Sequence, residues 1–233
     1  MTPTPTSGSA PPEPGGPLVG PTLAKLPNAL TLARLVMAAI VFLLLSLVDL
    51  DAGPGASRGM LLGATVLFVV AALTDAADGW LARKWRVISR FGRVMDPFAD
   101  KVLVLGVFVL LAGSQFQMVS DTGARVQASG VLPWMAVVIL ARELLVTSLR
   151  GLVEGAGGDF SAMMSGKVKM IAQSAGAPAI MVIVALAEPG SPTAATLASV
   201  CAWAVTLISA ASAVPYITRA VACVRQAEER SQP

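Results

Sequence analysis

The sequence predicts an all-α membrane protein, because it is too apolar for a soluble domain and its apolar residues fall in long segments. Hydrophobic residues make up 55% of the 233 residues and charged residues only 13%, with a mean hydropathy of +0.73. A soluble domain of this size could not solvate such a surface. Several of its apolar segments reach about 20 residues, the length that spans a hydrocarbon core of about 30 Å. We therefore expect six transmembrane helices.

Each predicted helix is bounded by a recognisable change in sequence. The six segments cover about residues 28–48, 60–82, 97–112, 131–149, 168–187 and 196–221. The second follows the polar loop 49–58, and the third opens at Asp96-Pro97, where Asp96 would be the N-cap. The fourth ends in the charged stretch 141–150, and the fifth opens with the charged stretch 165–169. The third segment is shorter than a full span unless its charged first turn is counted.

The two ends of the chain differ in composition from the apolar middle. Residues 1–22 are rich in Pro, Gly, Ser and Thr and carry one charge, Glu13, which is typical of a disordered tail. They lack a basic region followed by an apolar region, so they do not resemble a signal peptide. We expect the membrane domain to occupy residues 23–224, followed by a short polar tail, 225–233.

The distribution of lysine and arginine predicts the orientation in the membrane. With the N-terminus inside and six spans, nearly all basic residues fall on the inner side, and the outer loops receive only Arg58 and Arg125. Loops rich in lysine and arginine remain on the cytoplasmic side of membrane proteins. We therefore expect a multi-pass protein of the inner, cytoplasmic membrane, with both termini and the polar residues described below on the cytoplasmic side.

The composition argues against several classes of function. Histidine is absent, which removes histidine-based catalytic triads and histidine-ligated zinc. The net charge of +3 is small, and no basic stripe with interleaved aromatic residues occurs, so we expect no nucleic-acid partner. Cys201 and Cys223 lie in the last apolar region without a CxxC motif, so apolar packing is their expected role. Acid–base chemistry must then come from carboxylate, lysine, tyrosine or cysteine side chains.

The strongest chemical signal is a group of four aspartates where the second segment ends and the third begins. Asp75 and Asp78 are three residues apart, so they lie on one face of a helix. Asp96 and Asp100 are four residues apart and share a face in the same way. Two antiparallel helices joined by a short basic turn would bring these carboxylates together, although each ionised group near lipid costs about 2.5–3.5 kcal/mol on insertion scales. A bound cation would compensate for that cost, and oxygen ligands favour Mg²⁺ or Mn²⁺.

A purely structural interpretation of the aspartates is the alternative. They could lie at helix ends and form interfacial salt bridges with the basic residues near them, which are Arg83, Lys84, Arg86 and Arg93. A single aspartate would favour that interpretation. Four aspartates at two helical spacings, with Gly79 and Ala82 on the same stripe as the first pair, favour a metal site.

The residues around these aspartates resemble a family signature. The chain reads D-x2-D-G-x2-A-R-x8-G-x3-D-x3-D from Asp75 to Asp100, which matches without departure the signature of the CDP-alcohol phosphatidyltransferases. This resemblance implies that the four aspartates hold divalent metal, that Asp100 is also the general base, and that the protein is a homodimer. It further implies that the CDP part of a lipid donor is seated by Gly79, Ala82, Arg83 and Gly92.

A second group of polar residues lies in the fourth and fifth segments. Arg142 and Arg150 are eight residues apart, close to one helix face, and Lys167 stands at the start of the fifth segment. Pairing of Arg142 with Glu143, or extension of its side chain to the interface, would be the structural explanation. Because these cations lie on the same side as the aspartates, they could instead bind a second anionic substrate.

Four stretches are similar to the phosphatidylglycerophosphate synthase branch of the family, and the similarity covers nearly everything after residue 23. They are P-N-A-L-T-x-x-R at 27–34, S-R-F-G-R-V-M-D-P-F-A-D-K at 89–101, A-R-E-L-L-V-T-S-L-R at 141–150 and S-G-K-V-K at 165–169. The resemblance implies that Arg142, Arg150 and Lys167 bind the phosphate of sn-glycerol 3-phosphate and that CDP-diacylglycerol is the lipid donor.

The expected activity is transfer of a phosphatidyl group from CDP-diacylglycerol, in the bilayer, to glycerol 3-phosphate with release of CMP. The acceptor could also be another alcohol, such as inositol phosphate, serine or phosphatidylglycerol. From a different class, the chain could be a small cation-coupled transporter. A transporter would place ionisable groups near the middle of the membrane and often contains internal repeats, and the two halves of this sequence contain no recognisable repeat.

Overall fold

The described part of the protein is mostly helical, as the sequence predicted. The computed structural model describes residues 26–50, 54–85, 90–119, 123–155, 164–188 and 191–231. In these ranges the α-helices are Leu26–Ser46 (α1), Pro54–Trp85 (α2), Arg90–Leu111 (α3), Pro133–Gly155 (α4), Met164–Leu186 (α5), Pro192–Ala211 (α6) and Val214–Ser231 (α7). Strands Gln117–Val119 (β1) and Arg125–Gln127 (β2) pair antiparallel between α3 and α4. The predicted tail, 1–22, lies outside the described residues.

Four stretches of the described chain are long and apolar enough to cross a membrane. They are Ala29–Ser46, Ser57–Thr74, Met164–Leu186 and Pro192–Cys223. Helix α3 contributes a shorter apolar stretch, Lys101–Leu111. Large apolar side chains face outward along α1, where Leu32, Val36 and Leu43 are each more than half exposed, as expected for a surface covered by lipid. The prediction of an all-α membrane protein is confirmed, and the number of spans beyond these four stays a prediction.

Helix α3 begins before the position that the sequence predicted. The helix starts at Arg90, so Asp96 lies within it and not at its N-cap, and that prediction was wrong. Phe91 and Met95 are four residues apart and continue the apolar period of the segment towards its start, which favours the longer helix. The second aspartate pair is consequently carried on one uninterrupted helix.

The sixth predicted segment is two helices and not one. A turn at Ser212 and Ala213 separates α6 from α7. Pro215 explains the break, because it has no N–H to donate to the carbonyl four residues earlier and disfavours helical geometry at the preceding residue. The residues from Tyr216 onward therefore belong to a separate helix, which continues to Ser231 through most of the segment that was predicted as a polar tail.

The helices pack around a shared apolar core. Helix α1 contacts both α2 and α3, α5 contacts α2 and α6, and α4 contacts α3, α6 and α7. Helices α1 to α6 all contribute to the core, and Phe68, Phe108 and Ile180 are fully buried in it. A smaller apolar cluster around Val146 and Val153 joins α4 to α7. This second cluster holds the helix after the break against the helix that carries the predicted acceptor cations.

The bundle has two chemically different ends. At one end, called here the hairpin end, α3 and α5 terminate and the β-hairpin lies between α3 and α4. There Arg58 Nε donates to the Ala185 carbonyl at 2.8 Å, and Ser129 Oγ donates to the Leu111 carbonyl at 2.5 Å. These side chains satisfy carbonyls at the C-termini of α5 and α3. At the opposite end, called the charged end, α2 and α4 terminate and α3 and α5 begin.

Candidate active site

The two aspartate pairs lie on consecutive helices that contact each other. Asp75 and Asp78 are within the last three turns of α2. Asp96 and Asp100 are within the first three turns of α3. Only residues 86–89 separate the two helices in sequence, and α2 and α3 pack together. Each pair therefore lies in regular helix at a spacing that shares one face. The aspartate side chains lie outside the described part of the structure, so the predicted cluster of carboxylates stays a prediction.

The donor set that these aspartates offer fits a hard divalent cation. Carboxylate oxygens are the ligands that Mg²⁺ and Mn²⁺ prefer in proteins. The two spacings place each pair on one helix face, and both helices meet at the charged end. The described side chains, which exclude these four, contain no other group of three or more acidic or cysteine residues able to hold a metal. The aspartates are the candidate metal ligands of this chain.

The residues that the family signature assigns to CDP lie on the same two helices. Gly79, Ala82 and Arg83 are in α2, and Gly92 is in the first turn of α3. Gly79 and Ala82 follow Asp75 by four and seven residues, so they continue its face of the helix. Residues this small allow a ligand to approach the helix closely. These four residues also lie outside the part whose side chains are described, and their contacts with a nucleotide stay a prediction.

A buried group of three ionised side chains, the ion triplet, joins α4 to α5. Arg142 Nη1 donates to Glu143 Oε1 at 2.9 Å, and Lys169 Nζ lies 2.5 Å from the same oxygen. Arg142 and Glu143 are only 7% and 6% exposed. Glu143 is therefore bound by two basic side chains at once, in a place that is largely shielded from water. The two cations compensate for the charge of this buried carboxylate.

The guanidinium of Arg142 is held on three sides. Besides the bond to Glu143, its Nε donates to Ser212 Oγ at 2.9 Å, at the turn between α6 and α7. Its Cζ lies 5.6 Å from the centre of the Tyr216 ring, which is a cation–π distance. Nη2 is buried and has no hydrogen-bond partner in the described part of the chain. Because an unsatisfied buried donor costs roughly 1–3 kcal/mol, Nη2 is a well-defined place for an anion to bind.

The position of Arg142 along its helix differs from the prediction. The sequence placed it near the inner end of a span that stops at Leu149, whereas α4 continues to Gly155. Arg142 lies nine residues from the start of this 23-residue helix, or about 14 Å, and so nearer its middle than its end. Pairing with Glu143 inside the bundle allows the charge to lie away from the interface.

Arg150 and Lys167 have different surroundings from Arg142. Both side chains are exposed, and neither belongs to an ion pair within the described ranges. Lys167 follows Gly166, which packs against Tyr216: a Cβ atom at Gly166 would lie 2.5 Å from the Tyr216 Oη. Tyr216 thus contacts both the start of α5 and Arg142. Arg150 and Lys167 lie at the charged end, whereas Arg142 lies near the middle of α4 and reaches that end through its side chain, which contacts the α6–α7 turn. Of the three predicted acceptor cations, only Arg142 belongs to the ion triplet.

Several polar links between the helices were not predicted from the sequence. Lys101 Nζ donates to Thr147 Oγ1 at 2.5 Å and joins α3 to α4. Gln173 Nε2 donates to Ser209 Oγ at 3.0 Å and joins α5 to α6. Tyr216 was set aside because it is distant in sequence from the aspartates, yet the fold brings it against Arg142. A single tyrosine in a highly apolar chain was the available signal.

An open groove with apolar walls lies beside the charged end. It has a volume of about 370 Å³ and is lined by residues of α1, α2, α3 and α5, among them Leu73, Val104 and Ile171. Arg34, which is fully buried, is part of its wall. Apolar walls with one basic side chain suit a ligand that has an anionic head and an apolar body.

Comparison with known proteins places the chain in a family. The sequence model of the CDP-alcohol phosphatidyltransferases matches residues 24–222. A Bacillus subtilis protein named CDP-diacylglycerol–glycerol-3-phosphate 3-phosphatidyltransferase is 35% identical over 153 residues, which cover 64% of this chain and 72% of the relative. A Rickettsia typhi protein of that name is 35% identical over 128 residues, covering 55% of this chain and 60% of the relative. An Arabidopsis thaliana protein, numbered 1 under that name and described as chloroplastic/mitochondrial, is 36% identical over 129 residues, covering 54% and 38%. The chain belongs to the CDP-alcohol phosphatidyltransferase family.

Proposed function

We propose that the chain transfers the phosphatidyl group of CDP-diacylglycerol to sn-glycerol 3-phosphate, giving phosphatidylglycerophosphate and CMP. The observation that carries the proposal is the buried guanidinium of Arg142, whose Nη2 has no partner among the described residues. This side chain contacts the α6–α7 turn, at the same end of the bundle as the helix termini that carry the aspartate motif. An acidic centre beside an anion site suits a reaction between a cytidine diphosphate lipid and a phosphorylated alcohol. Relatives that carry the name of this reaction support the choice.

The aspartates supply the chemistry in this proposal. The residues that would hold Mg²⁺ or Mn²⁺ are Asp75, Asp78, Asp96 and Asp100. A bound divalent cation stabilises negative charge on the diphosphate and on departing CMP. Asp100 accepts the proton of the acceptor hydroxyl as general base. The hydroxyl oxygen forms a bond to the phosphorus that carries the lipid, and the bond from that phosphorus to the CMP oxygen breaks. The electron pair of the broken bond leaves with CMP.

The lipid donor would use both the polar and the apolar parts of the bundle. The CDP group is seated by Gly79, Ala82, Arg83 and Gly92, next to the aspartates on the same helices. The groove of about 370 Å³ between α1, α2, α3 and α5 can accept an acyl chain, with Arg34 in its wall. The remainder of the diacylglycerol part stays in the bilayer, so the donor need not leave the membrane to react.

The acceptor phosphate would bind to Arg142, Arg150 and Lys167. Arg142 offers Nη2 from a buried position, and the exposed Arg150 and Lys167 approach from the aqueous side. Hydrogen bonds between charged groups contribute about 1.5–3 kcal/mol each. An acceptor without a phosphate, such as serine, would forgo these contacts. The cations therefore favour a phosphorylated acceptor over a neutral one.

We further propose that the charged end faces the cytoplasm and that the enzyme is a homodimer, as the family resemblance implies. Nearly all lysines and arginines fall on that side if the chain begins inside. Substitutions Ser89→Cys and Ser120→Cys, made in a chain without Cys201 and Cys223, test the orientation by thiol labelling. We expect the cysteine at 89 to react from the cytoplasm and the one at 120 from outside. The reverse pattern would invert the topology and move the site out of the cytoplasm.

An acceptor screen tests the proposed reaction. Purified protein receives labelled CDP-diacylglycerol, Mg²⁺ or Mn²⁺, and one acceptor at a time: glycerol 3-phosphate, inositol phosphate, serine or phosphatidylglycerol. We expect CMP release that depends on glycerol 3-phosphate, with phosphatidylglycerophosphate as the lipid product. Release with a different alcohol alone would reassign the acceptor. No release with any alcohol, together with cation flux in vesicles, would support a transporter instead.

A further inference from the structure

The ion triplet contains an acidic residue that the proposed reaction does not use. Glu143 is an acid at a site meant for an anion, where its negative charge repels a phosphate. Its side chain is nevertheless only 7% exposed, and it contacts the cations on both sides of it. A buried repulsive group at an anion site calls for a role other than substrate contact.

Glu143 controls the orientation of the Arg142 guanidinium. Its Oε1 accepts from Nη1, while Ser212 accepts from Nε and the Tyr216 ring covers the group. These three contacts fix the plane of the guanidinium and leave Nη2 as its buried nitrogen without a partner among the described residues. Without Glu143, the group is anchored through Nε and the ring alone. Nη2 then loses its defined direction.

Glu143 also connects the two helices that carry the acceptor cations. Lys169 of α5 lies 2.5 Å from the carboxylate oxygen that holds Arg142 of α4. Lys167 is two residues before Lys169, so the same link positions the start of α5 relative to α4. Glu143 thus couples the position of α5 to that of Arg142.

We propose that Glu143 is a positioning residue for acceptor binding, which aims Arg142 Nη2 at the acceptor phosphate and holds α5 against α4 without touching the substrate. This inference rests on the proposed function. Electrostatics alone makes the opposite prediction, because removing a negative charge from an anion site should tighten anion binding. The direction of the change in acceptor affinity therefore distinguishes positioning from simple charge.

Steady-state CMP release by the full-length enzyme, measured while each substrate is varied in turn, tests the proposal. Glu143→Gln keeps the size of the side chain but removes its charge, and we expect it to raise KM for glycerol 3-phosphate at least about tenfold. KM for CDP-diacylglycerol should stay within about twofold. Glu143→Asp keeps the charge and should restore part of the affinity. Lys169→Gln should give a smaller rise, because Arg142 keeps its three contacts. Glu154→Gln, exposed on the same helix, is the matched control and should change neither KM.

Several outcomes would overturn the positioning role. One is an unchanged or lower KM for glycerol 3-phosphate in Glu143→Gln. Another is an equal rise in the KM values for glycerol 3-phosphate and CDP-diacylglycerol. Thermal unfolding in detergent shows whether Glu143→Gln is folded. If it is not, Glu143→Asp and Lys169→Gln must each raise the acceptor KM selectively. Their failure to do so would contradict the proposal equally. If the wild-type enzyme releases no CMP with glycerol 3-phosphate, the acceptor assignment is wrong independently of Glu143. The same variants are then measured with the acceptor that the wild type uses, and the same selectivity is required.

Discussion

At the hairpin end of the bundle most of the described polar side chains bind the backbone, whereas at the charged end several bind one another. Gln127 Nε2 donates to the Leu111 carbonyl at 2.8 Å, and Arg58 Nε donates to the Ala185 carbonyl. Each of these bonds satisfies a carbonyl at a helix C-terminus, which otherwise has no partner in the helix. At the charged end, by contrast, the bonds of Arg142 are to side chains of α4 and of the α6–α7 turn.

Arg58 at the hairpin end and Arg142 at the charged end differ in whether all of their donors have partners. Arg58 is exposed, so the nitrogens that the protein does not bind can reach water or lipid headgroups. Arg142 is buried, and its Nη2 has neither solvent nor a described protein group to bind. A polar residue whose hydrogen bonds are completed by the protein or by water is sufficiently explained by folding. A buried donor that remains unsatisfied points to a ligand.

The largest expected effect is at the aspartates of the charged end. Asp100→Asn removes the proposed base while keeping the size of the side chain, and should lower kcat by about 10²–10⁴-fold. CDP-diacylglycerol binding, measured by calorimetry, should fall far less than the rate, because the main role proposed for Asp100 is to accept the proton. Asp75→Asn is the comparison, because loss of a metal ligand should weaken donor binding together with the rate. If Asp100→Asn turns over with an unchanged pH profile, another group takes the proton.

The next effect concerns the exposed cation at the start of α5. Lys167→Ala removes one contact to the acceptor phosphate, which at about 1.5–3 kcal/mol corresponds to a rise in acceptor KM of about 10–100-fold. Kinetics with each substrate varied would measure it. Arg125→Ala, an exposed basic residue at the hairpin end, should change neither KM and is the control. A defect in the donor KM would move Lys167 to the nucleotide side.

A smaller effect should follow from adding one methyl group at Gly166. Gly166→Ala places a Cβ 2.5 Å from the Tyr216 Oη, so the start of α5 or the ring must shift. We expect the acceptor KM to rise severalfold with little change in the donor KM. The double variant with Tyr216→Phe removes the clash and should recover part of the loss. Gly151→Ala on α4, where a Cβ meets nothing within 4 Å, is the control. Equal kinetics for Gly166→Ala and Gly151→Ala would show that the Tyr216 contact does not matter.

The smallest catalytic effect is expected at the hairpin end, whose polar contacts should affect stability and not substrate binding. Arg58→Met keeps the length of the apolar stem and removes the bond to the Ala185 carbonyl. We expect a loss of about 1 kcal/mol in the free energy of unfolding and unchanged KM values. Thermal unfolding in detergent and the CMP assay measure the two quantities. A change in acceptor KM without loss of stability would mean that the hairpin end also takes part in the reaction.

Local sequence spacing predicted that each pair of aspartates lies on a helix. Asp75 and Asp78 fall in α2, and Asp96 and Asp100 fall in α3, because a spacing of three or four residues needs only a helix to share a face. Boundaries were less predictable. The start of α3 was misplaced because Asp96-Pro97 resembles a helix start, and the charged residues before it resemble a loop.

The ion triplet depends on tertiary structure, and its partners could be anticipated only in part. Pairing with Glu143 was one of two structural explanations for Arg142, because the two residues are adjacent in sequence. The structure contains that pair and a buried Nη2 beside it, so a structural role and a binding role are compatible in one side chain. The contacts of Arg142 with Ser212 and Tyr216 span about 70 residues of sequence and depend on the break before Pro215. No local pattern encodes such contacts.

That break also determines how the chain adapts to the thickness of its membrane. The apolar stretch Pro192–Cys223 has 32 residues, which as one straight helix would be about 48 Å long. The hydrocarbon core is about 30 Å thick, so an unbroken rod would exceed it by about 18 Å. The joint at Ser212 divides this length between two helices, so the second need not continue through the bilayer along the axis of the first. Ser212 holds Arg142, and the apolar cluster around Val146 and Val153 packs on α7, so the residues beyond the joint stay beside α4.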